Sequence, residues 1–444
     1  MIQNFKLRFS RQIIFAAFFA VVFPASAQEI KTISLNEAIE AGLKNSKVLV
    51  LSKAKIEQAV SRYEQAKDSA LPSASASYMY NHAEIPTSTF KMTPGAEPFH
   101  LPKRADAFVG TLSLQEVVFG GNRLRYAKES TNLLTQIARL DAEKDKEDIV
   151  YTIIQAYYNL YKIQQSQKVI QRNLKAINQQ IEQAQRFFEE GIITKNEVLR
   201  FQLQKSNIRL SEIDLETNRK ISVYNLNILL GLHEDEDLAV KEPAAAEKPF
   251  SLEAYTETAL SDRKELQALD LRSRNADLNI KSIRAETLPT AALTASTYYI
   301  NPSGKFIPPA NQFIAPISLG AGISWNFDQL WMNKNKAAEA KIEKSQADIS
   351  RTIAIDNIKT EVNSSYQSYL KASDKIEILE TAIIQAEEND RIMESKFQNN
   401  MATATDRLDA QVQLYQALIN LELAKADAGM AYYTLLKSTG KITE

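Results

Sequence analysis

The stretch "APISLGAGISWNF" (residues 315–327) decides how the rest of the chain is interpreted. Its odd-numbered residues are apolar, from Ala315 through Leu319 to Phe327, and its even-numbered residues are proline, serine, glycine or asparagine. A period of two is typical of a β-strand with one apolar face. The fold therefore depends on whether that face contacts a protein core or a lipid bilayer.

The composition excludes several classes of protein. Basic and acidic residues number 53 and 54, so no basic excess indicates a nucleic-acid partner. Cysteine is absent, which excludes disulfides and thiolate metal sites. His82, His100 and His233 lie far apart in sequence, so neither a metal site nor a cofactor is expected. No nucleophile constellation or phosphate-binding loop is recognisable, and we do not expect an enzyme.

Residues 1–27 have the layout of a secretory signal peptide. A basic start is followed by an apolar run, "IIFAAFFAVVF", and then by the small residues "ASA" at 25–27. A retained membrane anchor is the alternative, but the apolar run is short for a helix that spans a bilayer. The mature chain, from residue 28, is therefore expected to be exported.

The mature chain contains two copies of one unit. "ISLNEAIEAGL" (33–43) resembles "FSLEAYTETAL" (250–260), and "YNLNILLG" (224–231) matches "YYTLLKSTG" (432–440). Such internal similarity predicts a duplicated architecture. The expected divisions are a first repeat (28–231), a linker (232–250), a second repeat (251–440) and a tail (441–444).

Each repeat predicts the order helix, strand, strand, long helix, helix. In the first repeat the strands cover about 73–82 and 106–119, the long helix 121–189, and the tip before the last helix 190–194. In the second repeat the corresponding ranges are 290–300, 315–327, 330–398 and 399–403. A helix of 69 residues is about 100 Å long, more than a compact domain holds.

The long helices carry the pattern of coiled coils. In the first repeat Ile170, Leu174 and Ile177 begin a series that steps by four and three residues. A repeat of 3.5 residues predicts supercoiled helix pairs. In the second repeat the equivalent seam contains Asp390, which is either a tolerated surface position or a polar residue that sets the register.

The strands have the properties of segments that cross a bilayer. Each has about 10–13 residues, long enough to span when tilted, and aromatic residues lie near the strand ends. Four strands leave unpaired edges, which a bilayer forbids, so several chains must close a barrel, and three would give 12 strands. The apolar face is therefore predicted to contact lipid. The alternative is a water-soluble sheet packed on helices.

With this layout the mature chain resembles the TolC-type outer membrane efflux proteins. The resemblance rests on the duplicated units, the strand entries "ALP" (70–72) and "TLP" (287–289), and two tip sequences. The tips are "RFFEEGIITKNEVLRFQ" (186–202) and "KFQNNMATATDRLDAQVQLYQA" (396–417). The resemblance implies a mainly α fold with a small transmembrane β part. It would form a homotrimer with a 12-stranded barrel, continued by a long periplasmic α-helical barrel.

The family resemblance also implies a function and partners. It indicates a passage without catalysis, the exit duct of a tripartite efflux pump or a type I secretion system. The duct would lie in the outer membrane of a Gram-negative bacterium, surrounded by outer membrane lipid. Its partners would be a periplasmic adaptor (membrane fusion) protein and an inner-membrane transporter of the RND or ABC type. A soluble periplasmic coiled-coil tether without a channel is the alternative.

The same resemblance assigns roles at the tips. Asp406 and Asp409 match the D-x-x-D pattern of the family's periplasmic constriction, where three copies would form an acidic ring. For Asp406 the alternative is a helix cap with Thr403. Phe397 stands where some relatives carry a tyrosine that ties adjacent helices, and Ala402 where they carry an arginine. The expected adaptor-docking surface, with a plain turn as its alternative, consists of Gly191, Ile192, Ile193, Asn400, Met401 and Ala402.

Overall fold

The computed structural model describes residues 31–84, 86, 89–90, 93–95, 97–100, 103–244, 249–302 and 315–443. The signal peptide predicted over residues 1–27 lies outside the described residues. The described part of the chain is mainly helical and consists of very long helices and one small antiparallel sheet. Within it, no helix combines the length and the apolar character that crossing a membrane requires.

The two repeats have the same order of principal elements. Up to residue 230 the chain forms β1 (Lys31–Ile33), α1 (Leu35–Asn45), α2 (Lys47–Asp68), β2 (Ser73–Glu84), β3 (Thr89–Phe90), β4 (Phe99–His100), β5 (Arg104–Phe119), α3 (Arg123–Glu189) and α4 (Lys195–Leu230). It continues with β6 (Leu238–Val240), α5 (Leu252–Asp262), α6 (Lys264–Ala285), β7 (Thr290–Pro302), β8 (Ile317–Ser324), α7 (Gln329–Gln398) and α8 (Ala404–Thr439).

The opening helical segment of each repeat is broken, whereas the sequence predicts one continuous helix. In the first repeat Ser46 is extended, with φ −67° and ψ 114°, and its hydroxyl accepts a hydrogen bond from the Leu49 N–H. In the second repeat Arg263 takes the same extended conformation between α5 and α6. At Ser46 the capping hydroxyl gives the backbone an alternative to helical hydrogen bonds, whereas Arg263 makes no side-chain cap.

The predicted linker over 232–250 contains a strand, which the sequence does not indicate. Its strand β6 pairs in parallel with β1. The buried Tyr157 hydroxyl lies within hydrogen-bonding distance of the Ile33 carbonyl (3.1 Å) and the Lys241 carbonyl (2.8 Å). This segment thereby joins β1 to the middle of α3.

The helices pack as two long hairpins that lie side by side. α3 pairs with α4, α7 pairs with α8, and α3 also contacts α8. The shorter helices α2 and α6 both pack along α3, and α6 also packs on α7. With 67 and 70 residues, α3 and α7 are each about 100 Å long. A tyrosine-rich apolar cluster around Tyr157 and Tyr158 forms the largest core.

The four longer strands form one sheet beyond one end of these helices. Its order is β2-β5-β7-β8, and all its pairs are antiparallel. β5 contains an irregularity between Val117 and Phe119, which shifts its register against β7. β2 and β8 are the two edges of this sheet.

A buried carboxylate lies where α3 meets α6. Glu147 is buried, and Lys264 and Arg263 at the start of α6 lie near enough to act on it. Burial is the main cause that raises the pKa of Glu147 from 4.5 to about 7, and the two positive charges offset only part of this effect.

Glu147→Gln is expected to stabilise the protein at pH 8 but not at pH 4. Since its folded-state pKa is raised, Glu147 contributes stability fully below about pH 4.5, and this is lost as the pH rises to about 7. Glutamine cannot ionise, so the variant avoids a loss of at most about 3 kcal/mol per chain. Melting temperatures at both pH values test this, with Glu129→Gln, which replaces an exposed glutamate on α3, as control. An equal effect at pH 4 and pH 8 would contradict it.

Candidate functional site

The sheet has one apolar face, which the strand register defines. Residues paired across strands place their side chains on the same side of a sheet, and alternate residues share a face. Leu319 pairs with Ala295, Ala295 with Leu114, and Leu114 with Ala74. Extended along the strands, this apolar face contains Ala76, Tyr78, Tyr80, Phe108, Leu112, Leu293, Ile317, Ala321 and Ile323, with Glu116 as the charged exception near the helices.

The opposite face of the sheet is polar. One row of paired residues consists of four serines, one from each strand: Ser75, Ser113, Ser296 and Ser318. The hydroxyls of Ser75 and Ser113 are 2.8 Å apart, and those of Ser296 and Ser318 are 2.7 Å apart. Thr111, Thr294 and Gln115 lie on the same face. We call this surface the serine face.

No described part of the chain covers the apolar face. The side chains of Ile317, Leu319 and Ile323 are about 80% exposed. A continuous exposed apolar surface of this kind indicates contact with a membrane or with another protein. The apolar side of residues 315–327 therefore does not contact a core formed by the residues that the structure describes.

Aromatic residues lie at both ends of the sheet. At the end far from the helices, the ring centroids of Phe108 and Tyr80 are 5.0 Å apart. At the helical end, Trp325 and Phe327 follow β8, with ring centroids 4.5 Å apart. The sequence predicts a strand over 315–327, but β8 ends at Ser324, because the Trp325 indole N–H donates to the Thr287 carbonyl (3.0 Å) as the chain turns into α7.

The tips of the two hairpins have nearly the same backbone. Gly191 has φ +75° and Asn400 has φ +56°, both in the left-handed region, where asparagine is tolerated. The Ile192 N–H donates to the Phe187 carbonyl, and the Met401 N–H donates to the Lys396 carbonyl, each at 2.8 Å.

The tip residues differ in their exposure. The expected docking surface retains Gly191, Ile192, Asn400 and Met401 as exposed residues, and Met401 is the most exposed apolar one at 70%. Ala402 is half-buried. Ile193 is half-buried, because its side chain packs against an apolar cluster that includes Val198, Phe201 and Phe397.

An aromatic contact joins the two hairpins next to their tips. Phe397 of α7 is 2% exposed, and its ring centroid is 5.9 Å from that of Phe187 and 5.7 Å from that of Phe201. Phe187 belongs to α3 and Phe201 to α4, so Phe397 inserts into the other hairpin. We call these three residues the phenylalanine cluster.

Asp406 and Asp409 have different surroundings. The Asp406 carboxylate accepts hydrogen bonds from the Thr403 N–H (3.0 Å) and from the Thr403 hydroxyl (2.7 Å), and completes a capping box at the start of α8. These bonds, the backbone one first, lower the pKa of Asp406. Asp409 is exposed one turn further along the helix. Asp406 thus has a structural role that Asp409 lacks.

Sequence reasoning missed a buried cation beside these two residues. Arg407 of α8 is 5% exposed and forms ion pairs with Asp390 and Glu394 of α7. Asp390, the polar residue in the coiled-coil seam, therefore lies opposite a buried charge rather than at a tolerated surface position. Its unexpected place in an apolar series is the signal that could have indicated a partner.

Comparisons with known proteins agree with this architecture. The sequence model of the family described as outer membrane efflux protein matches residues 38–232 and 256–441. The chain is 23% identical over 425 residues to the outer membrane efflux protein BepC of Brucella suis biovar 1, covering 92% of this chain and 86% of BepC. It is 24% identical over 375 residues to the alkaline protease secretion protein AprF of Pseudomonas aeruginosa, covering 83% and 76% of the two chains.

A solved structure shares the fold. The outer membrane protein VceC of Vibrio cholerae superposes with a TM-score of 0.77 at 18% sequence identity, covering 91% of this chain and 96% of VceC. At that identity the likeness supports the fold.

Proposed function

Because the chain belongs to the outer membrane efflux protein family, whose members are channels of the Gram-negative outer membrane, we propose that three copies form the exit duct of a tripartite export system. One observation carries this proposal. A sheet with one exposed apolar face and one serine face lies at the end of helical hairpins about 100 Å long.

The sheet favours a barrel built from several chains. Among the described residues no strand pairs with the outer side of β2 or β8, and each unpaired backbone group costs several kcal/mol inside a bilayer. If β8 of one copy pairs with β2 of the next, three copies close a 12-stranded barrel without edges. The apolar face then contacts outer membrane lipid, and the serine face lines a water-filled lumen.

The strand lengths fit this arrangement. β2, β5 and β7 have 12, 16 and 13 residues, and a tilted strand needs about 9–11 residues to cross a bilayer. β8 has eight, and residues 303–314 before it lie outside the described part of the chain. The aromatic residues at the two ends of the sheet then lie at the two membrane interfaces.

The helical hairpins extend the duct into the periplasm. Three copies would form a ring of helices whose tips point towards the inner membrane. The exposed Ile192 and Met401 at these tips supply an apolar docking surface for a periplasmic adaptor protein. The names of BepC and AprF refer to efflux and to protease secretion, so an inner-membrane transporter of either the RND or the ABC type fits as the third component.

Three copies of Asp406 and Asp409 would place six carboxylates at the narrow end of the duct. A ring of carboxylates favours cations and can hold one in the pore. The capping bonds of Asp406 do not exclude this role, because a capping carboxylate remains charged and exposed. The cap of α8 does not involve Asp409, so capping does not account for the carboxylate at that position.

Conductance of the purified protein in planar bilayers tests the duct and the ring together. We expect a small cation-selective conductance that millimolar Mg²⁺ blocks. Asp406→Ala/Asp409→Ala is expected to abolish the block, because the carboxylates that bind the ion are removed. Glu197→Ala is the control, since Glu197 accepts from the Thr194 N–H in the equivalent cap of α4 without contributing to the ring.

The possible outcomes separate the two parts of the proposal. If the double variant forms channels that Mg²⁺ blocks as in the native protein, the result supports the proposed duct and contradicts the proposed acidic ring. A well-folded protein that gives no channels and stays in solution without detergent would instead favour the soluble coiled-coil tether.

A further inference from the structure

The Arg407 side chain forms a charged contact inside the second hairpin. Its guanidinium Nε lies 2.7 Å from a Glu394 carboxylate oxygen, and a second nitrogen pairs with Asp390. Both carboxylates belong to α7, one turn apart, so the planar guanidinium bridges them. The arginine side chain is 6% exposed, whereas the Asp390 and Glu394 side chains remain in partial contact with solvent. We call these three residues the Arg407 clamp.

The first hairpin makes the same contact with different residues. The two repeats align here at an offset of 209, so Arg407, Asp390 and Glu394 correspond to Val198, Ile181 and Gln185. Val198 is buried in an apolar cluster that is formed mainly by α3 and α4 and also contains Phe397 and Ala404, and Ile181 packs against the same cluster. Apolar packing therefore takes the place, in the first hairpin, of the ion pairs that join α8 to α7.

The clamp determines which way the two aspartates point. Successive residues of an α-helix are about 100° apart around its axis. Asp409, two residues after Arg407, is therefore rotated by about 200° and points almost directly away from α7. Asp406, one residue before it, is rotated by about 100° and lies within about 60° of Asp409. Anchoring Arg407 on α7 directs both carboxylates to the side of α8 that does not face α7.

We propose that Arg407 is a positioning residue of the acidic ring, which through its contact with Asp390 and Glu394 fixes the rotation of α8 and so holds Asp406 and Asp409 towards the lumen. This inference rests on the acidic ring proposed above. A hairpin of this kind does not require buried ion pairs, since the first hairpin packs without them. The proposal gives the ion pairs of Arg407 a function.

The test compares Mg²⁺ block in three variants of the full-length trimer in planar bilayers. Arg407→Val leaves Asp390 and Glu394 without their partner, so α8 can rotate; the block is expected to weaken about fivefold, the lower range for coupled sites. The triple variant Asp390→Ile/Glu394→Gln/Arg407→Val installs the residues of the first hairpin and is expected to restore the block. Arg391→Val removes an exposed arginine paired with Glu388 on the surface of α7 and is expected to change nothing.

The direction of the change separates positioning from simple electrostatics. Removing a positive charge near the pore without moving α8 would attract cations, so the block would become stronger. A stronger block in Arg407→Val would therefore overturn the proposal, and so would a triple variant that still differs from the native protein. If Asp406→Ala/Asp409→Ala leaves the block unchanged, the ring itself fails, which is a distinct result.

A conservative variant keeps the test informative if Arg407→Val does not assemble into trimers. Arg407→Lys retains the charge, but a lysine ammonium does not form the planar fork that bridges two carboxylates. A block intermediate between those of the native protein and Asp406→Ala/Asp409→Ala is expected. A block equal to that of the native protein would show that the fork does not position the ring.

Discussion

Leu319→Arg is expected to remove the protein from the outer membrane, whereas Ser318→Arg is expected to leave it there. The two residues are neighbours on β8, but Leu319 lies on the apolar face and Ser318 on the serine face. An arginine on the lipid face of a barrel costs about 2–4 kcal/mol near the middle of the bilayer, and the trimer would contain three. An arginine in the lumen remains in water.

The first measurement is the amount of trimer in the outer membrane fraction. The second is the conductance of each variant that forms trimers. Ser318→Arg is expected to assemble normally and to lower the preference for cations, because it adds positive charge to the lumen. An equal loss of outer membrane trimer in both variants would contradict the assignment of one face to lipid and the other to water. A loss confined to Ser318→Arg would indicate that the sheet is oriented the other way round.

Phe397→Ala is expected to separate the two hairpins at their tips and to enlarge the conductance. The substitution removes a buried ring from the phenylalanine cluster, which typically costs about 3–5 kcal/mol, including two aromatic contacts. Because the cluster joins α7 to α3 and α4, its loss weakens the contact between the hairpins rather than the packing within either one.

Phe188→Ala is the matched control for the phenylalanine cluster. Phe188 is adjacent to Phe187 on α3, but its side chain is exposed. It is expected to change neither the melting temperature nor the conductance. Destabilisation by Phe397→Ala with an unchanged conductance would mean that the cluster stabilises the tips without restricting the pore.

The sequence predicts the larger elements because each has many residues with one period. The strand pattern of residues 315–327 and the seam beginning at Ile170 both extend over several turns or alternations, so a single exception does not obscure them. The strands β1 and β6 have three residues each and pair over a long separation in sequence. No local periodicity indicates such a pair. The break at Ser46 is concealed by the helical pattern on both sides, and so is the equivalent break at Arg263, which has no side-chain cap.

Individual contacts at the tips were less predictable than the tips themselves. The steps of four and three residues that begin at Ile170 lead to Phe188, but Phe187 packs against Phe397 instead and Phe188 is exposed. Ile193 is adjacent to the exposed Ile192 yet packs inward. The Arg407 clamp joins residues of two helices, and only the folded hairpin brings them together.

Thiol labelling of single-cysteine variants along β7 and β8 tests the central claim most directly, namely that this sheet is a section of the wall of a water-filled pore. The chain contains no cysteine, so each introduced thiol is the only one present. Ser296→Cys and Ser318→Cys report on the serine face, and Ala295→Cys and Leu319→Cys report on the apolar face.

In intact outer membranes, a water-soluble thiol reagent is expected to label the cysteines of the serine face and to leave those of the apolar face unlabelled until detergent dissolves the bilayer. Equal labelling of both faces in the intact membrane, or labelling of the apolar face alone, would contradict the account.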